Sequence, residues 1–128
     1  MIKYPIVKFD NKEYLKICKS SELLNGKGMK VHYDNSDEVY EVAIFRIEGQ
    51  LYCVQNHCPH QHAPEIFNGL VKDCVVTCPL HGWSYNLKDG LNKNPKQGLR
   101  SLETFEVIEK DNWIYIEKPN IPIPKWRR

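Results

Sequence analysis

Long apolar runs are missing from this chain. The longest are only a few residues, such as Val42 to Phe45, whereas a membrane-crossing helix needs roughly 18 or more. The N-terminal segment "MIKYPIVKFDNKEYLKIC" also lacks the apolar core of about 7–15 residues that marks a secretory signal. A cytosolic protein without membrane contact is the expectation. Charge of one sign is not in excess either. The 18 Lys and Arg against 16 Asp and Glu leave +2, too little for the basic footprint of a nucleic-acid binder. An even cysteine count is likewise absent. Five Cys cannot all pair, and in a reducing compartment clustered thiols serve metal or redox chemistry rather than crosslinks. Repeats and low-complexity tracts are lacking, as are Gly-rich phosphate loops and nucleophile elbows. With 27% charged residues, the composition is that of an ordinary globular protein.

What is present is a set of short β-like runs separated by turn signals, which points to an all-β sandwich or barrel. At 128 residues the chain has the length of one domain. Strands are expected at 13–18, 29–33, 39–47, 51–55, 74–77, 84–87, 104–109 and 113–117, the last two joined by "KDN" as a hairpin. "SSELLNG" (20–26) fits one helical turn capped by Ser20 or Ser21 and ended by Gly26. Cys18, Cys53 and Cys74 fall inside apolar runs and read as small core residues. The tail 119–128 is rich in Pro and cannot form a central strand.

Two stretches lack strand pattern, 56–73 and 91–101, and loops of that length in a compact domain are commonly functional. The first holds "HCPHQHAPE" and leads into "CPLHGW". Cys58-Pro59-His60 and Cys78-Pro79-Leu80-His81 lie 17 residues apart. Each offers one thiolate and one imidazole at a tip stiffened by proline, so the pair can hold a metal centre between two loops. Such a donor set suits zinc or an iron–sulfur cluster. The chain order Cys, His, Cys, His differs from the paired Cys then paired His of zinc fingers. It suits two metals, one taking both Cys and the other both His.

On "CPHQHAPE" and "CPLHGWSYNLKDG", and more weakly from about Glu13 to Lys118, the sequence resembles the Rieske-type ferredoxins. The resemblance implies an antiparallel sandwich or barrel with an inserted two-loop cluster-binding subdomain at about 56–85, within a single domain spanning 1–118. It implies a [2Fe–2S] cluster held by Cys58 and Cys78 on one iron and His60 and His81 on the other. The positions of the loop disulfide of respiratory Rieske proteins fall at Ala63 and Leu80, and Gly82 is followed by Trp83 rather than Ser. Both departures match the low-potential soluble type, with a potential nearer −150 than +300 mV, the rough limits for such centres. Tyr85 stands where respiratory proteins carry a Tyr that donates to a Cys sulfur, which pulls the other way. Trp83 is expected to cover the cluster and Leu80 to lie at an exposed tip. His57 reads as structural, His32 as a surface or half-buried strand residue. His62 and Glu65 depart from the family pattern without gaining a ligand role.

No catalytic set is evident, so the resemblance implies an electron carrier rather than an enzyme. It would be a monomer passing single electrons from a flavin-dependent reductase to a terminal oxygenase. The alternatives are the small Rieske-like subunit of a larger reductase, such as an NAD(P)H nitrite reductase, and, more remotely, a structural zinc module.

Overall fold

Four two-residue turns set the register of the molecule, which is a computed structural model describing residues 4–34, 39–57, 66–79, 83–92 and 101–118. Asp10-Asn11 joins β1 (Ile6–Phe9) to β2 (Lys12–Lys19), and Glu48-Gly49 joins β4 (Val39–Ile47) to β5 (Gln50–Gln55). Asp73-Cys74 joins β6 (Leu70–Lys72) to β7 (Val75–Thr77), and Asp111-Asn112 joins β10 (Val107–Lys110) to β11 (Trp113–Glu117). All eight turn residues have positive φ, between 51° and 82°. That is the geometry whose twist matches a two-residue hairpin, and it favours Asn, Asp and Gly. Completing the set are β3 (Gly28–Asp34), β8 (Ser84–Asn86) and β9 (Thr104–Phe105).

The strands form three antiparallel sheets, in the orders β1-β2-β11-β10, β3-β4-β5-β9 and β6-β7-β8. The second is the middle layer, and the run Val42-Ala43-Ile44-Phe45 shows why. Successive strand residues point to opposite faces, yet all four are buried, so both faces are covered. Val42 and Ile44, with Cys53 of β5, join Leu15, Cys18, Val31, Ile114 and Ile116 in a core against the first sheet. Ala43, Phe45 and Val54 join Ile66, Val76, Cys78, Tyr85, Leu87 and Leu102 in a second core against the small sheet.

Several expectations are corrected. β1 has no counterpart among the predicted strands. The run 56–73 contains a 3₁₀ turn at Ile66–Asn68 and the strand β6. The helical turn exists as a 3₁₀ turn at Ser20–Glu22, but its cap is Lys19, whose N–H donates to the Glu22 carboxylate at 2.7 Å; Ser20 and Ser21 lie inside it. The strand expected at 104–109 is broken at Glu106. β9 pairs with β5 in the middle sheet, while β10 pairs with β11 in the first. Glu106 makes this corner: its N–H donates to the Glu117 carboxylate at 2.6 Å, and its own carboxylate accepts from the Tyr14 hydroxyl at 2.7 Å. Cys74 is a turn residue at φ 61°, only partly buried, rather than a strand residue in the core.

Candidate metal centre

The two Cys/His motifs grow from adjacent roots in the second core. The first leaves the end of β5 through Gln55 and Asn56. The Gln55 side chain accepts from the Glu103 N–H at 2.7 Å and donates to the His57 carbonyl at 2.7 Å. Asn56 is fully buried, and it closes the loop at its far end. Its backbone carbonyl accepts from the Ile66 N–H at 3.1 Å, and its side-chain oxygen accepts from the Phe67 N–H at 2.8 Å. One asparagine thus ties the end of β5 to the turn at Ile66–Asn68, and it is a buried amide whose polar atoms are satisfied as burial requires.

Cys78 and Pro79, the described part of the second motif, follow the end of β7 (Val75–Thr77), which pairs with β8 (Ser84–Asn86). Thr77 and Ser84 hydroxyls meet at 2.9 Å, and the Cys78 N–H donates to the Trp83 carbonyl at 2.8 Å. Cys78 itself is buried, 1% exposed, and Pro79 beyond it is exposed. The two roots touch. A Cβ on Gly69, which ends the 66–68 turn, would lie 2.7 Å from the Thr77 carbonyl and 2.5 Å from Val76 Cγ2. Only glycine lets the base of the first loop pack this closely on the strand that delivers Cys78. The same residues, Phe67 to Val71 and Thr77 to Pro79, line one surface cleft of about 600 Å³.

The other thiols are sorted away from this end. Cys18 and Cys53 lie in the first core, on the opposite face of the middle sheet. Burial pushes the Cys18 thiol up to about 11, and burial raises that of Cys53 further. Burial among aliphatic side chains thus disfavours the thiolate that a metal ligand must be. Cys74 is separated from Cys78 by the whole of β7, roughly 13 Å at about 3.3 Å per residue.

Of the expected ligands, Cys78 is placed by the structure, while Cys58, His60 and His81 lie outside the described residues, as do His62, Ala63, Glu65 and Leu80. Among the described residues no three His, Cys, Asp or Glu side chains gather to hold a metal. Trp83 packs partly buried against the core that contains Cys78, and Tyr85 is fully buried in that core. His57 is partly buried beside the loop root, and His32 is partly buried in β3. The sequence reading missed Asn56 and Gln55, whose only signal is two amides at the end of an apolar strand. Polar residues at a strand end normally read as solvated, and their burial is a tertiary fact.

The donor set suits an iron–sulfur cluster: a buried thiol at the end of β7, in the same core as Ile66 at the root of a loop whose sequence carries Cys58 and His60. Residues 13–106 match the Rieske [2Fe–2S] domain. The chain is 33% identical over 101 residues to the 3-phenylpropionate/cinnamic acid dioxygenase ferredoxin subunit of Photorhabdus laumondii, covering 78% of this chain and 90% of that protein. It is 43% identical over 87 residues to the cholesterol 7-desaturase of Hemicentrotus pulcherrimus, covering 59% of this chain but 18% of that longer protein. In structure it resembles the complex of reduced oxygenase and oxidized ferredoxin in carbazole 1,9a-dioxygenase, with a TM-score of 0.72 and 26% identity, over 81% of this chain and 92% of the matched one. The chain belongs to the Rieske [2Fe–2S] domain family. It is an electron carrier whose cofactor is a [2Fe–2S] cluster, which sets aside the zinc reading. No described helix is long and apolar enough to cross a membrane.

Proposed function

We propose that this chain is the ferredoxin component of an oxygenase system, taking single electrons from a flavin-dependent reductase and delivering them to a terminal oxygenase. The observation that carries this reading is the likeness along 90% of a dioxygenase ferredoxin subunit, joined to a fold matched by a ferredoxin seen with its oxygenase. Cys58 and Cys78 would hold one iron and His60 and His81 the other. When bound, the cluster supplies a one-electron couple, at a potential above that of an all-thiolate cluster because two neutral imidazoles replace two negative thiolates. The chain contributes rigidity and dryness. The end of β7 and the Asn56 clamp would fix the roots of the loops that bear the ligands, and Trp83 and Tyr85, packed in the core of Cys78, would help to keep water from its thiolate.

In this reading the protein is not itself an enzyme, is a monomer when isolated, and forms one domain over 1–118. EPR of the dithionite-reduced protein tests the ligand set. A rhombic signal with an average g clearly below that of all-Cys clusters is the expected result, and an all-Cys signal overturns the assignment. Purification from its source separates the carrier from a subunit of a larger reductase. A monomer that stimulates oxygenase turnover supports the proposal, and constant copurification with a flavin- or haem-containing chain overturns it.

A further inference from the structure

Asn56 is the inner end of a polar row that crosses three strands. Its side-chain N–H donates to Glu41 Oε1 at 2.8 Å, and Glu41 Oε2 lies 2.9 Å from His32 Nδ1. The register accounts for the row. His32 of β3 is directly opposite Glu41 of β4, and the Asn56 N–H reaches the Glu41 carbonyl at 3.3 Å. All three residues share the sheet face that carries Ala43 and Phe45, which is the face toward the second core. Exposure falls steadily along the row, from 36% for the His32 side chain to 9% for Glu41 and 0% for Asn56.

A buried carboxylate costs free energy unless its oxygens are bonded, and here each oxygen has its own partner. The clamp on the loop is therefore not an isolated asparagine. We infer that Glu41 and Asn56 are positioning residues for the cluster, with His32 as their outer support. Glu41 orients the Asn56 amide so that its oxygen faces the Phe67 N–H, and this holds the root of the loop that bears Cys58 and His60. The row also sets the Glu41 carboxylate behind that root, where a negative charge opposes the arrival of an electron. Partners that orient metal ligands in this way typically change metal affinity or activity by about 10–100-fold when removed. The inference rests on the ligand assignment proposed above.

A polarity swap tests it. Asn56→Asp alone faces two carboxylates toward each other and is expected to speed cluster loss to a chelator by roughly 10–100-fold. Adding Glu41→Gln supplies a new donor to the aspartate, and near-native retention should return. Glu41→Gln alone keeps a partner for Asn56 but removes the charge, so its midpoint potential is expected to rise above native. The double variant, with the charge moved inward, should fall below native. His32→Gln should give the smallest effect on both readouts. A double variant that loses its cluster as fast as Asn56→Asp overturns the inference. So do variants whose melting temperatures change while potentials and cluster-loss rates match native. If Cys58→Ser or His60→Ala keeps a native cluster, the ligand assignment itself has failed, a separate outcome.

Discussion

On the face of the middle sheet that meets β1-β2-β11-β10, Cys18 and Cys53 are enclosed by aliphatic side chains, and burial disfavours their thiolates. On the opposite face Cys78 is equally buried, yet it stands at a hairpin end beside an amide-clamped loop root. Burial alone therefore does not mark a ligand. The first face is closed by the alternation of Val31, Val42, Ile44 and Cys53 against Leu15, Ile114 and Ile116. The second is left unfinished at one end, where Asn56, Thr77 and Ser84 replace apolar residues and two loops leave the sheet. Both cores hold the fold together, but the candidate chemistry lies only at the open end of the second.

The largest effect that sharpens this contrast is loss of the cofactor. Cys58→Ser or Cys78→Ser should abolish visible absorption and the iron and acid-labile sulfide content, and should destabilise the fold because binding and folding are coupled at such sites. Cys53→Ala should keep a full complement. A bleached Cys53→Ala protein would break the division of labour between the faces.

Neighbouring residues of β4 probe the same division at smaller scale. Ile44 and Phe45 are both fully buried but belong to different cores. Ile44→Ala should lower unfolding free energy by about 2–5 kcal/mol, with cluster release from the folded protein unchanged. Phe45→Ala should cost about 3–5 kcal/mol and also speed release, since Phe45 packs in the core of Ile66 and Cys78. Denaturant melts alongside chelator kinetics would show the separation, and identical release rates would remove it.

The smallest effect lies on the first sheet. The Arg46 guanidinium holds the Glu109 carboxyl below its usual range, and the Tyr14 hydroxyl, with Lys12, does the same for Glu106. A carboxyl lowered on folding adds stability that is present above its unfolded value, about 4.3, and lost as pH falls through the lowered folded value. The melting temperature should therefore drop as pH falls from about 4.3 through the lowered folded values. Glu109→Gln should flatten the drop slightly while leaving the potential at neutral pH unchanged. A shifted potential would mean that the two regions are coupled after all.

Much of the fold was legible because short-range rules govern it. The runs at 13–18, 39–47, 51–55 and 113–117 are strands, and the "KDN" hairpin forms as its residues suggest. The break at Glu106 was invisible, since the alternation of 104–109 continues smoothly while the strand changes sheets. Cys74 misled for a related reason. Its apolar neighbours suggest a strand, but the two-residue hairpin demands positive φ at both Asp73 and Cys74. For the site, the two Cys/His motifs pointed to a metal centre, because ligand type and spacing are written in the chain itself, and the resemblance they carry implied the [2Fe–2S] cluster.

The sequence by itself determined the class of fold, since hydrophobic alternation is a local property, and its two Cys/His motifs narrowed the cofactor to zinc or an iron–sulfur cluster, between which the family resemblance chose. The tertiary structure decided which cysteines are shut away in an aliphatic core, how closely the two loop roots approach across Gly69, and that Asn56 and Glu41 lie behind the root of the first loop. Those are decided by contacts between residues distant in the chain. An amide at a strand end has the same local signature whether it meets water or is buried against Glu41, and only the packing of three sheets settles which.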